Sequence, residues 1–232
     1  MKKIENTVYR DTWVPDHCDD SGLKIWNADN WQDGIVHKVV KFISNNGVGI
    51  DVGACIGMTS ISMCRYFDKV VAFEPDPLNY ECLVKNTSFL ENIITSQYAL
   101  YNENFLEVEM SRIKGSCGLS FFFQKYHTLK DSFEIFNAST VTLDSYRESN
   151  LSKVDFLKID VEGVQMGVLQ GSVSTLQEDR PVVLIEIPKS SFLSFTLLNN
   201  FMVHYRYIFL DKFNRDFLFI PIEHSNNISK HI

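Results

Sequence analysis

The chain predicts an α/β fold: a doubly wound, mostly parallel sheet with an inserted antiparallel hairpin and an antiparallel edge strand. Three observations carry this. Residues 48 to 57, Val-Gly-Ile-Asp-Val-Gly-Ala-Cys-Ile-Gly, read as a buried strand that turns through glycines into a helix. Lys69-Val-Val-Ala-Phe-Glu74 repeats the step, with Pro75-Asp76-Pro77 opening the next helix. Val154 to Asp160 and Pro181 to Glu186 are two more apolar runs of strand length, separated by a helical pattern. Such alternation indicates parallel pairing, and ligands of such sheets bind outside the carboxyl ends of the strands.

Residues 1–30 form a polar, irregular arm with Tyr9, Trp13 and Trp26, which is either a substrate-side lid or aromatic packing onto the core. From Trp31 to Asn46, Ile35, Val36, Val39, Val40 and Ile43 keep helical spacing, and Asn45-Asn46-Gly47 ends the run. After the first strand, a helix over 57–67 packs through Met58, Ile61 and Phe67. Asp76 reads as an N-cap with Pro77 at the first position of a helix over 77–88, and a third strand covers roughly 93–100.

Residues 102–140 break the rhythm. Phe105–Ile113 and Leu119–Phe123 read as short strands around Gly115-Ser116-Cys117-Gly118, an inserted hairpin suited to building selectivity, or a plain edge extension. Thr140–Leu143 is a short strand, with Asp144 capping the single turn after it. A helix from Glu162 to Leu176, a helix near 190–202 and a hairpin of Tyr205–Leu210 with Phe217–Ile220 complete the order. No repeat or proline-rich linker interrupts it, so a single domain is expected: the arm, a first half over 31–100, the insert over 102–140 and a second half over 141–222.

The glycine turn differs from a dinucleotide fingerprint at its first position, which is Asp51. A carboxylate there repels a pyrophosphate but suits the ammonium of a methionine tail, so the turn of Asp51, Gly53, Ala54 and Gly57 points to S-adenosylmethionine. Glu74, about 20 residues beyond the turn, stands where a carboxylate accepts paired ribose hydroxyls. A second constellation, Leu157-Lys-Ile-Asp-Val-Glu-Gly163, puts Asp160 at a strand's carboxyl end and Glu162 at the start of a helix. Either can take the proton of a hydroxyl nucleophile or hold a divalent cation that lowers its pKa. Glu162 in a first helical turn is also favoured by the helix dipole without any chemistry. Two carboxylates with no histidine beside them do not specify a metal, and His17, His37, His127 and His204 stand apart, with His37 nearest the first strand.

Composition bounds the partners. At 232 residues and 45% hydrophobic, one substantial core is possible. The net charge of -7 is spread along the chain without a basic stripe, and no Asn-Pro-Pro-Tyr-type motif occurs, so a nucleic-acid acceptor is disfavoured and small or neutral acceptors fit. Five cysteines (Cys18, Cys55, Cys64, Cys82 and Cys117) show neither disulfide nor metal spacing. With no bilayer-length apolar run and no signal-peptide core, a cytoplasmic protein is expected.

Ile50-Asp-Val-Gly-Ala-Cys-Ile-Gly57, Ala72-Phe-Glu-Pro-Asp76, Ala99-Leu100, Thr142-Leu-Asp144, Leu157 to Gly163, Val168-Leu-Gln-Gly171 and Ile185-Glu-Ile187 together resemble the FkbM family of adenosylmethionine-dependent methyltransferases. The resemblance implies a Rossmann-like fold and methylation of a hydroxyl on a sugar, glycan or polyketide-type small molecule. It places Asp51, Gly53, Ala54, Gly57, Glu74 and Pro75 on the cofactor and Tyr98 and Ala99 near its adenine. Cys55 departs from the Asn or His usual before Ile56, and Gln165 stands where the family usually has Glu. The other readings of the same residues are a non-catalytic adenosylmethionine-binding module and a nicotinamide-dependent oxidoreductase.

Overall fold

A computed structural model describes residues 1–7, 10–18, 31–115, 120–122, 133–187 and 192–225. In the arm, β1 (Lys2–Thr7) and β2 (Arg10–Val14) pair as an antiparallel ribbon. Then come α1 (Trp31–Val40), β3 (Val48–Val52), α2 (Met58–Met63), β4 (Lys69–Phe73), α3 (Pro77–Thr87) and β5 (Ile93–Ser96). The departing segment holds β6 (Ala99–Leu100), β7 (Glu107–Ile113), β8 (Ser120–Phe122) and β9 (Phe133–Val141). The second half runs α4 (Leu143–Asn150), β10 (Phe156–Ile159), α5 (Gln165–Gln170), α6 (Val173–Glu178), β11 (Val182–Glu186), α7 (Phe192–His204), β12 (Tyr207–Phe213) and β13 (Asp216–Pro221).

The main sheet has seven strands among the described residues, ordered β12-β13-β11-β10-β3-β4-β5, with β13 antiparallel to β11 and β12 and the rest parallel. Alternation along each strand builds two cores. Ile50, Val52, Leu157, Ile159, Val183 and Ile185 face one layer, while Val70, Phe156, Val182 and Leu184 meet Ile35, Val36 and Val39 of α1 on the other. The strand order reverses between β3 and β10, so the crevice at their carboxyl ends is the switch point where ligands bind. Among the described residues no helix is long and apolar enough to cross a membrane.

Several expected elements differ. The strand expected over 93–100 is split, because β5 stays in the main sheet and β6 pairs in parallel with β9. The insert is more than a hairpin: β7 and β8 pair antiparallel as expected, but β9 is a nine-residue strand that joins them to β6 in a second, four-stranded sheet. The helix expected over 162–176 is two helices, broken at Gly171-Ser172, where a Cβ on Gly171 would lie 2.0 Å from the Tyr101 carbonyl oxygen. Thr142, rather than Asp144, caps α4; Asp144 reaches across to accept from the backbone N–H groups of Ser174 and Thr175 in the first turn of α6. Asp76 caps α3 with Pro77 behind it, as the local pattern requires. Tyr9 and Trp26 lie outside the described residues. Trp13 packs on α3, exchanging backbone hydrogen bonds with the Asn86 amide under Lys85, and takes no part in the crevice.

Gly53 joins β3 to the turn with φ of 80°, and a Cβ there would stand 2.0 Å from the Asp160 carbonyl oxygen. Both the left-handed backbone and the close approach of two strand ends require glycine. Gly53→Ala is expected to cost about 2–4 kcal/mol in a urea-unfolding measurement, from positive φ plus a clash with main chain.

Candidate active site

At the switch point lies a crevice with about 620 Å³ of space between atoms, a volume that includes open solvent. One end is walled by Phe73, Glu74, Pro75, Asn79, Tyr98 and Ala99; the other by Gly53, Asp160, Val161, Glu162 and Val164. Cys55 and Leu100 also line it, and Met110 enters from the second sheet. Seven of the residues expected from the sequence therefore meet there: Gly53, Glu74, Pro75, Tyr98, Ala99, Asp160 and Glu162.

Asp51, Ala54 and Gly57 do not line the cavity. Asp51 is 0% exposed, and its carboxylate accepts from Ser60 Oγ at 2.6 Å and Lys158 Nζ at 3.2 Å. Its carboxylate, expected on a ligand ammonium, is engaged by these protein groups in the fold. Ala54 and Gly57 act on the chain path instead. Gly57, at φ 97°, starts α2 so close to α3 that a Cβ would meet Leu83 at 2.8 Å.

The acid that does face the crevice beside the glycine turn is Asp160. Parallel register sets Lys158 beside Asp51, and the pleat brings Asp160 to the same face two residues on. Lys158 Nζ thus spans the two acids, 3.0 Å from Asp160 Oδ2. Burial alone would depress Lys158, but the charges of Asp160 and Asp51 outweigh it and hold the ammonium above its ordinary value. Burial likewise opposes ionisation of Asp160, yet Lys158 outweighs it and holds the carboxyl below the usual range. Glu186, next to Asp160 across the β10–β11 register, is pushed up to about 9 by its hydrogen bond with Asp160 and then by burial. Arg215 Nη1, 3.3 Å from Glu186 Oε1, opposes that rise.

Glu162 stands three residues before α5 rather than in its first turn, so the helix dipole does not account for it. Burial, then the Asp160 charge, raise its pKa. Among the described residues no group of three or more His, Cys, Asp or Glu side chains is arranged to hold a metal ion. His37 sits away from the crevice, its Nδ1 3.3 Å from the Tyr66 hydroxyl, and His127 lies outside the described residues.

Glu74 is 4% exposed at the end of β4. Its Oε2 accepts the Cys55 N–H at 2.8 Å and its Oε1 the Asp76 N–H at 3.0 Å. Burial, then the nearby Asp76 charge, push it up to about 8, against the pull of those N–H groups and of Asn79. With Asn79 as a third donor, one acceptor position of the carboxyl remains for a hydroxyl donor, which fits one ribose hydroxyl. The departure at Cys55 also becomes intelligible: the residue sits at φ 52° and supplies a backbone N–H, so the position asks for left-handed tolerance rather than one side chain. Gln165 donates its Nε2 to the Glu186 carbonyl oxygen at 3.1 Å, which leaves no acid at that position.

Sequence reasoning overlooked Lys158, Asn79, Glu186 and Met110. Lys158 carried a signal, since a lysine inside an apolar strand needs counter-ions. Met110 carried none, because the insert alone brings it in.

The family model described as Methyltransferase FkbM domain matches residues 51–209. Methyltransferase FkbM from Methylobacillus flagellatus KT is 19% identical with a TM-score of 0.52, over 75% of this chain and 43% of that one. The chain thus spans less than half the length of that protein. A precorrin-6y C5,15-methyltransferase from Geobacter metallireducens GS-15 gives 10% identity and a TM-score of 0.48, over 81% and 86% of the two chains. TYW2 from M. jannaschii, in complex with AdoMet, gives 15% and 0.41, over 82% and 73%. The first of these, at 19% identity, shows a likeness of fold alone. No curated protein is a sequence match.

Proposed function

This chain belongs to the FkbM methyltransferase family, and we propose that it methylates a hydroxyl of a sugar, glycan or polyketide-type small molecule, with S-adenosylmethionine as donor. The observation that carries the reading is the single cavity with Glu74 at one end and the Asp160–Glu162 pair at the other. The residues fit the cofactor: Glu74 would offer a carboxyl oxygen to the ribose, Tyr98 and Ala99 would lie toward the adenine, and Asp160 would offer its carboxylate to the cationic methionine end. When bound, the cofactor supplies a methyl group activated by a sulfonium for in-line displacement. The chain's part is alignment and proton removal.

The two acids divide the work by their electrostatics. Asp160, held ionised by Lys158, is a weak base and a persistent negative charge. Glu162, raised by burial, lies nearer the range of an effective general base and takes the acceptor's hydroxyl proton. A neutral hydroxyl suits this acidic mouth better than a phosphorylated or carboxylated acceptor. The pairing of both acids in the cavity favours turnover over a binding module.

Two measurements test this. Calorimetry should detect S-adenosylhomocysteine binding, and no binding refutes the reading. Incubation with methyl-tritiated S-adenosylmethionine and a panel of glycosides and hydroxylated polyketides should label a hydroxyl as a methyl ether; label on carbon or nitrogen overturns the O-methyl reading. Glu162→Gln is expected to lower kcat about 10²–10⁴-fold while S-adenosylhomocysteine affinity stays within a few-fold of the parent.

A further inference from the structure

The second sheet reaches the ribose end of the cavity through a residue that does not line it. Arg112 on β7 is 11% exposed, and its Nη1 donates to Asp76 Oδ1 at 2.6 Å while its Nε donates to Glu134 Oε2 at 3.0 Å. The same Asp76 oxygen accepts the Leu78 N–H at 2.9 Å and caps α3. The Asp76 backbone N–H in turn holds Glu74 Oε1. A continuous set of hydrogen bonds therefore runs from the insert to the ribose acid. Met110 and Arg112 share one face of β7, opposite Phe136 and Glu134 of β9, and the guanidinium lies 5.4 Å from the Phe136 ring centre.

We propose that Arg112 is a positioning residue for the cofactor's ribose, so that the inserted sheet, and not only the Rossmann-like half, sets selectivity for the ribose hydroxyls. The proposal rests on reading Glu74 as the ribose acid. Asp76 is 1% exposed, and its carboxylate is ion-paired with Arg112. Without that cation a buried carboxylate loses a charge partner. The Asp76 main chain must then shift toward water, taking its N–H away from Glu74. Lysine can supply the charge but not the fork that spans Asp76 and Glu134.

The test compares S-adenosylhomocysteine with its 2′-deoxyribose analogue by calorimetry. The parent is expected to prefer the hydroxylated ligand by about tenfold or more, the scale of a hydrogen bond to a charged group. Arg112→Met is expected to cut that preference to about threefold or less, chiefly by weakening S-adenosylhomocysteine, and Arg112→Lys to restore much of it. An unchanged preference, or equal weakening of both ligands, overturns the proposal. Asp76→Asn is the second variant, since asparagine still caps a helix while discharging Arg112's partner; because burial and then the Asp76 charge raise Glu74 to about 8, the comparison is made at about pH 9.5, where Glu74 is ionised in both proteins, and there it should also reduce the preference, a parent-like ratio being equally fatal. A parent that binds neither ligand refutes the methyltransferase reading, and one that binds both equally refutes Glu74 as ribose acid.

Discussion

Lys158→Met is expected to remove about 3–5 kcal/mol of folding stability, the scale for breaking a buried ion pair from one side. Lys158 is 4% exposed and Asp51 0%, so the carboxylate left behind can reach neither water nor another cation through the packed β3–β10 seam. Methionine fills the volume, so the loss reads the charge rather than a cavity. Urea unfolding at neutral pH measures it. Adding Asp51→Asn should recover a large part of the deficit, because the double variant buries no uncompensated charge there. A Lys158→Met protein as stable as the parent, or a double variant no better than the single, would show that the pair does not hold the crevice. Asp160 gives a second signature: freed from Lys158, it loses the influence that keeps it ionised.

The second large effect concerns Glu74. Glu74→Gln is expected to weaken S-adenosylhomocysteine binding about 10–100-fold, since hydrogen bonds to a charged group contribute roughly 1.5–3 kcal/mol. The parent's affinity should also depend on pH, and the sign follows from the direction of the shift. Burial places the free protein's Glu74 at about 8, so at pH 7 it is mostly protonated. Ribose hydroxyls donate to the ionised form and lower its pKa in the complex. Affinity therefore rises as pH climbs toward about 8 and levels off above it, and binding at pH 7 releases a proton. Calorimetry in buffers of different ionisation enthalpy reads that proton directly. Glu74→Gln should flatten the profile, and an affinity that is level or falling with pH in the parent contradicts the assignment.

How much of the site was legible depended on the distance over which each residue's role is decided. Gly53, Glu74 and Asp160 follow rules of a few residues: an acid or glycine where a buried strand ends must meet a turn, a ligand or water. Asp76 and Pro77 formed the expected cap for the same reason. Asp51 obeyed the same local rule and still went elsewhere, because its partner is 107 residues away and arrives only when β10 pairs with β3. Glu162 was assigned to a helix by apolar spacing that held only from Gln165 onward.

The alternation of strands and helices, the glycine turn and the two acid-ended strands were determined by the amino-acid sequence alone, since hydrophobic period and backbone freedom are local properties. Only the tertiary structure decided which acid faces the crevice, that Lys158 is shared between Asp51 and Asp160, and that the insert forms a second sheet bringing Met110 and Arg112 to the site. Those outcomes depend on strand register and on charges that must find partners across the fold once water is gone.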